Sequence, residues 1–146
     1  MRRFDRSLPM TLLKAREVVM KKFMPSLRQH DLSPQQWRVL RVLVEVDSLD
    51  STEIAESCAL LLPSLTRIIQ NLERRKLIRR VPCTRDQRRS LVSITAKGKR
   101  LFDKIAPVSE QRYAYIAEKF GPGKLELLYE LLDELIEKIE RDEPVS

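Results

Sequence analysis

Residues 8–30 place Leu13, Met20, Phe23 and Leu27 at helical spacing with polar side chains between them, which predicts an amphipathic helix. Pro25 falls inside this run and is expected to kink or break its last turn, because its ring removes a backbone donor. Ser33-Pro34-Gln35-Gln36 then reads as a helix start, with Ser33 as cap, Pro34 in the first turn and Gln36 closing a capping box. That helix runs to about Val46 with Trp37, Leu40 and Val44 inward. Asp50-Ser51-Thr52-Glu53 is a second capping box and opens a short helix to about Cys58, burying Ile54 and Ala55. Pro63 opens another, to about Arg75. Its inward side chains are Leu65, Ile68, Ile69 and Leu72; Ser64, Arg67, Gln70, Asn71 and Arg74 face out.

The period then changes. Leu77–Val81 and Leu91–Ile94 are short runs rich in branched residues, read as two strands, and Cys83–Ser90 is the polar tip of the hairpin between them. Thr95 caps a long helix to about Lys119, in which Pro107 predicts a bend. Gly121-Pro122-Gly123 interrupts the pattern before a last helix to about Arg141. Leu125, Leu128, Leu132, Leu135 and Ile139 step along it by 3, 4, 3 and 4, the seam of helices that pack on one another. The expected fold is mainly α with a small β-hairpin. The expected organisation is one domain over 1–146, with a lobe at 34–95 and helices at 8–30 and 96–142 that join two copies of the chain.

Charge sharpens this picture. The chain carries a net +7, yet residues 62–100 alone hold twelve basic and two acidic side chains, net +10, while residues 121–146 are net −5. A concentrated basic segment beside an acidic helix fits a nucleic-acid reader with a separate non-binding part. Two helices followed by a basic-tipped hairpin form a winged helix-turn-helix. In such a unit the second helix can enter the major groove, and the tip can place an arginine in the minor groove.

Other chemistries find little support. No apolar run approaches the roughly 18–20 residues needed to span a bilayer, and no signal-peptide core follows Met1-Arg2-Arg3, so a cytoplasmic protein without a membrane partner is expected. One histidine and two cysteines are too few for a metal site, and no Gly-rich phosphate loop occurs. Neither a metal, a cofactor nor an enzyme is expected. One alternative is a redox sensor using Cys58 or, better, Cys83, whose thiol Arg79, Arg80 and Arg85 would acidify. Another is an effector-free architectural or interaction module.

Pro63-Ser64-Leu65-Thr66-Arg67-Ile68-Ile69-Gln70-Asn71-Leu72-Glu73, followed by Leu77-Ile78, resembles the recognition helix of MarR-type transcriptional regulators. Asp86-Gln87-Arg88-Arg89-Ser90-Leu91-Val92-Ser93-Ile94-Thr95 is similar to that family's wing, and Ala96-Lys97-Gly98 to the start of its next helix. The resemblance spans about residues 8–141. Leu13–Glu17, Gln35–Arg38 and Pro63–Thr66 resemble its homoprotocatechuate-pathway repressors. This implies a homodimer on palindromic double-stranded DNA, released by a small phenolic carboxylate such as hydroxyphenylacetate or homoprotocatechuate. Many relatives have Gly where Lys76 stands; a left-handed Lys76 would cost roughly 1 kcal/mol.

The residues take roles accordingly. Ser64, Thr66, Arg67, Gln70 and Asn71 are candidates for base and phosphate contacts, with Arg67 suited to guanine and Gln70 or Asn71 to adenine. Arg74, Arg85 and Arg89 are phosphate candidates, Arg88 is the wing arginine, and Asp86 orients the wing. Arg16 shares the stripe of Leu13 and Met20, and a guanidinium on a buried stripe needs an anion. That anion is either an effector carboxylate or an internal acid such as Glu110 or Glu118, unless the side chain snorkels to the surface. Arg41 lies one turn from Trp37, which either stacks on a flat ligand or packs in the core; His30 or Tyr113 would bond a phenol.

Overall fold

The computed structural model describes residues 1–86 and 89–142. After a short 3-10 turn at Phe4–Arg6 come helices α1 (Leu8–Gln29), α2 (Pro34–Glu45), α3 (Ser51–Cys58) and α4 (Leu62–Arg74). Strands β1 (Ile78–Pro82) and β2 (Ser90–Ile94) follow, then α5 (Ala96–Phe120) and α6 (Pro122–Glu140). The chain divides into two compact units, Met1–Ser109 and Glu110–Ser146. The first holds α1–α4, the hairpin and the front half of α5; the second holds the rest of α5 and α6.

The caps set the helix starts. Ser33 Oγ accepts from the Gln36 amide at 3.1 Å, and Gln36 Oε1 accepts from the Ser33 amide at 2.9 Å. Asp50 and Glu53 make the same reciprocal pair at 2.8 and 3.0 Å. Thr95 Oγ1 accepts from the Gly98 amide and donates to the Lys76 carbonyl, so one hydroxyl starts α5 and ties it to the end of α4. Pro25 does not break α1, which runs on to Gln29. Pro25 is solvent-exposed, so water can take over the carbonyl that its missing donor leaves behind. Likewise α5 is continuous through Pro107.

Helices α1, α3 and α4 end alike. Asp31, Ala59 and Lys76 adopt left-handed conformations with φ of 53°, 54° and 63°. The next amide of each returns to the helix: Leu32 to the Leu27 carbonyl, Leu60 to Ala55 and Leu77 to Leu72, all within 2.9–3.0 Å. This is the Schellman arrangement. Leu32 and Leu77 then drop into the core, and Leu60 packs against it. Because these positions carry side chains, replacement by glycine relieves steric strain. Lys76→Gly is expected to raise stability by about 0.5–1 kcal/mol, net of the added freedom of the unfolded chain. Urea unfolding checks this, and a lower midpoint would contradict it.

The core of the first unit gathers around α2, which packs against α1, α3, α4 and β2. That explains a correction on α2. Val39 and Leu43 are buried with Trp37 and Leu40, whereas Val44 is only half-buried. A helix with neighbours on several sides buries a broader stripe than one facing a single partner. The hairpin pairs Ile78 with Ile94 through Pro82 with Ser90, and Leu49 adds an isolated bridge to Val92. In the second unit no residue of α6 is buried within the single chain; Leu128 and Ile139 of its seam stand exposed.

Candidate nucleic-acid interface

Helix α4 divides cleanly into two faces. Leu65, Ile69 and Leu72 are buried, while Ser64, Thr66, Arg67, Gln70 and Arg74 are exposed. Thr66 Oγ1 donates to the Leu62 carbonyl of its own helix. The N-cap residue is Leu61, whose side chain has no oxygen to offer, so no side chain caps this end. Uncapped amides at a helix N-terminus are donors of the kind phosphate takes up.

Asn71 differs from its neighbours. It is half-buried, and its Oδ1 accepts from Gln36 Nε2 at 2.8 Å. The amide therefore braces α4 against α2, and Gln70 is the freer of the two adenine candidates.

The hairpin adds further cations. Arg80 pairs with Glu73 at 3.2 Å, and Arg79 donates to Ser93 Oγ. Arg85 is exposed at the tip. Arg88, the wing arginine, lies outside the described residues. Arg89, read as a phosphate contact, forms ion pairs with Asp50 and with Glu53. It thus fastens the base of the wing to the N-terminus of α3, and its charge is already matched. Asp86 is exposed and its carbonyl accepts from the Arg89 amide at 3.0 Å, closing the tip.

The Glu53 amide, assisted by Arg89, holds the Asp50 carboxyl below its usual range. A carboxyl depressed by folding adds stability above its unfolded pKa of about 3.9, and that contribution is lost as pH falls through the folded value. Asp50→Asn should therefore flatten the fall of stability below about pH 4. Urea midpoints measured across pH 2–6 for both proteins would check this, and parallel curves would count against it.

The effector candidates are placed less uniformly. Arg16 does not sit on a buried stripe: it is exposed and pairs with Glu17 at 3.3 Å, and Leu13 is 48% exposed. Only the later part of α1, at Phe23 and Leu27, is buried. Trp37 belongs to the core and stacks on Phe102, with ring centroids 5.2 Å apart and planes 17° from parallel. The His30 and Asp31 carbonyls accept from the Arg75 guanidinium at 3.1 and 2.8 Å. Arg41 is exposed on α2; Tyr113 is half-buried in the part of α5 that belongs to the second unit.

The structure also singles out Arg38, which sequence reasoning passed over. Its Nη1 donates to the Cys58 carbonyl at 2.7 Å, while its buried Nε has no partner among the described residues. Burial and then the nearby Arg16 charge lower its pKa. The signal available in the sequence was its position between the apolar Trp37 and Val39. Burial pushes the Cys58 thiol up. Cys83 is held low, chiefly by the Arg85 and Asp86 amides and not by a surround of arginines, although Arg89 contributes. No helix of the described residues is long and apolar enough to cross a membrane.

Residues 30–89 match the MarR family. The chain is 40% identical over 129 residues to the HTH-type transcriptional regulator FarR of Neisseria gonorrhoeae, covering 88% of each protein. It is 38% identical over 130 residues to the homoprotocatechuate degradative operon repressor of Escherichia coli, covering 89% of this chain and 88% of that one. Among solved structures, NadR in complex with 4-hydroxyphenylacetate superposes with a TM-score of 0.80 at 38% identity, over 92% of this chain and 96% of that one. Carried by these near full-length likenesses, by the polar outer face of α4 and by the basic hairpin, the conclusion is that the chain belongs to the MarR family of transcriptional regulators.

Proposed function

We propose that this protein is a homodimeric repressor that binds a palindromic operator and is released by a small aromatic carboxylate. The observation that carries the reading is α4, whose polar, cationic outer face is fully presented while its opposite face is locked in the core. Its length and side chains suit a major groove about 12 Å wide. The net +10 of residues 62–100 supplies the sequence-independent attraction to phosphate. Exposed Leu8, Leu12 and Val18 of α1, and Leu127, Leu131 and Ile136 of α6, are apolar surface that a second copy would cover.

Two relatives support the effector class. One is named for homoprotocatechuate degradation, and the other was crystallised with 4-hydroxyphenylacetate. Arg16 and Arg41 are exposed guanidiniums suited to a carboxylate. Effector binding would favour a dimer whose recognition helices no longer match successive major grooves, about 34 Å apart. A thermal-shift screen of aromatic acids on wild type, Arg16→Ala and Arg41→Ala tests this. The expected result is a rise in Tm with hydroxyphenylacetates that at least one variant loses, together with release of DNA in a gel-shift assay. No shift and undiminished DNA retention with every acid would remove the effector from the reading.

A further inference from the structure

The first unit carries a second cationic feature, separate from the groove-facing side of α4. Where α4 ends and α5 begins, Arg75, Lys97, Arg100 and Lys104 surround a cavity of about 400 Å³ floored by Leu77 and Leu101. Four cations line it and no acid does. Arg75 and Lys97 are held in place by neighbouring backbone: Arg75 donates to the His30 and Asp31 carbonyls, and Lys97 Nζ donates to the Arg75 carbonyl at 3.1 Å. Among the described residues Arg100 and Lys104 make no ion pair, although both project from one side of α5 a turn apart.

We infer that this cavity binds a small polyphosphate-bearing anion. Like charges gathered around one concavity repel one another and focus a field that a counter-anion relieves. A single carboxylate supplies one charge against four cations, whereas a chain of two or three phosphates supplies several, with oxygens for both guanidinium and ammonium donors. Leu77 and Leu101 leave room for an apolar part of the carrier. The lining comes from Arg75, Leu77 and α5, whereas the exposed face at Ser64, Arg67 and Gln70 belongs to α4, so the two surfaces draw on different residues. Arg75 also clamps the end of α4 to the α1–α2 turn, so an occupant of the cavity touches the residue that positions the recognition helix.

The test is titration calorimetry on the full-length protein with sodium triphosphate and, separately, adenosine triphosphate, both without metal. Wild type should bind one equivalent per chain, and raising the salt should weaken binding. Arg100→Glu/Lys104→Glu should weaken binding at least tenfold, and Arg100→Gln/Lys104→Gln should weaken it less. Lys124→Glu/Lys138→Glu on α6 makes the same change in net charge and should leave binding within twofold. Circular dichroism melts confirm that each variant is folded. Tighter binding of adenosine triphosphate would assign a nucleotide carrier, and equal binding a free polyphosphate chain. The inference is overturned if wild type takes up neither compound, or if the α5 and α6 variants lose equal affinity. It is also overturned if the α5 variant loses operator affinity and salt dependence as a phosphate-contact variant would, which would make the surface part of the DNA footprint.

Discussion

Gly98→Ala should destabilise the protein by about 1–3 kcal/mol, a sizeable share of the stability of a domain this size. An added Cβ would lie 2.2 Å from the Leu77 carbonyl oxygen and 2.6 Å from Ile94 Cγ1. Neither neighbour has room to yield. The Leu77 carbonyl already accepts from the Thr95 amide at 3.0 Å, and Ile94 is paired with Ile78 in the hairpin. The Gly98 amide is itself bonded to Thr95 Oγ1, so the first turn of α5 cannot retreat without losing its cap. Alanine is the better helix former by about 1 kcal/mol, which offsets only part of an overpacking cost of this kind. Thermal melts should show Tm lower by several degrees. A variant as stable as wild type would mean that α5 can move away from the hairpin at little cost.

What the sequence made legible was local. The boxes at Ser33 and Asp50 and the cap at Thr95 involve partners three residues away, so their spelling was sufficient. The strain at Lys76 came from the family resemblance, in which many relatives have Gly at that position, and the left-handed φ of 63° agrees with it. The polar and apolar faces of α4 followed from periodicity alone, apart from Asn71.

What the sequence did not show were partners distant along the chain. Asn71 meets Gln36 across 35 residues, Arg89 meets Asp50 across 39, and Arg75 meets Asp31 across 44. No spacing rule could reveal those pairs, so Asn71 and Arg89 looked as available as Gln70 and Arg85. Arg16 shows a different limit. The stripe of Leu13, Arg16 and Met20 is real, but helical periodicity does not say which part of an apolar stripe finds a partner in its own chain. Here the core buries only Phe23 and Leu27, with Met20 half-buried against it. The exposed remainder is what an assembly of two chains would use.

Arg67→Ala is expected to weaken binding to the specific operator by about tenfold to a hundredfold, the effect of losing one bidentate base contact worth about 1–3 kcal/mol. Arg67 is exposed on the outer face of α4 beside Ser64 and Gln70, and among the described residues it makes no ion pair that would hold it away from DNA. The contrast with Arg74, farther along the same helix, separates the two kinds of contact. A phosphate contact contributes alike on every sequence. Arg74→Ala should therefore lower operator and random-duplex affinity together and reduce the slope of log K against log salt by about one. Arg67→Ala should instead reduce operator affinity far more than random-duplex affinity, and relax preference at one base pair in each half-site. Fluorescence anisotropy on operator and scrambled duplexes over a salt series measures both quantities. Equal losses on the two duplexes would make Arg67 a phosphate contact and move base reading to Gln70 and to the α4 N-terminus. No loss on either would show that α4 does not meet DNA through this face.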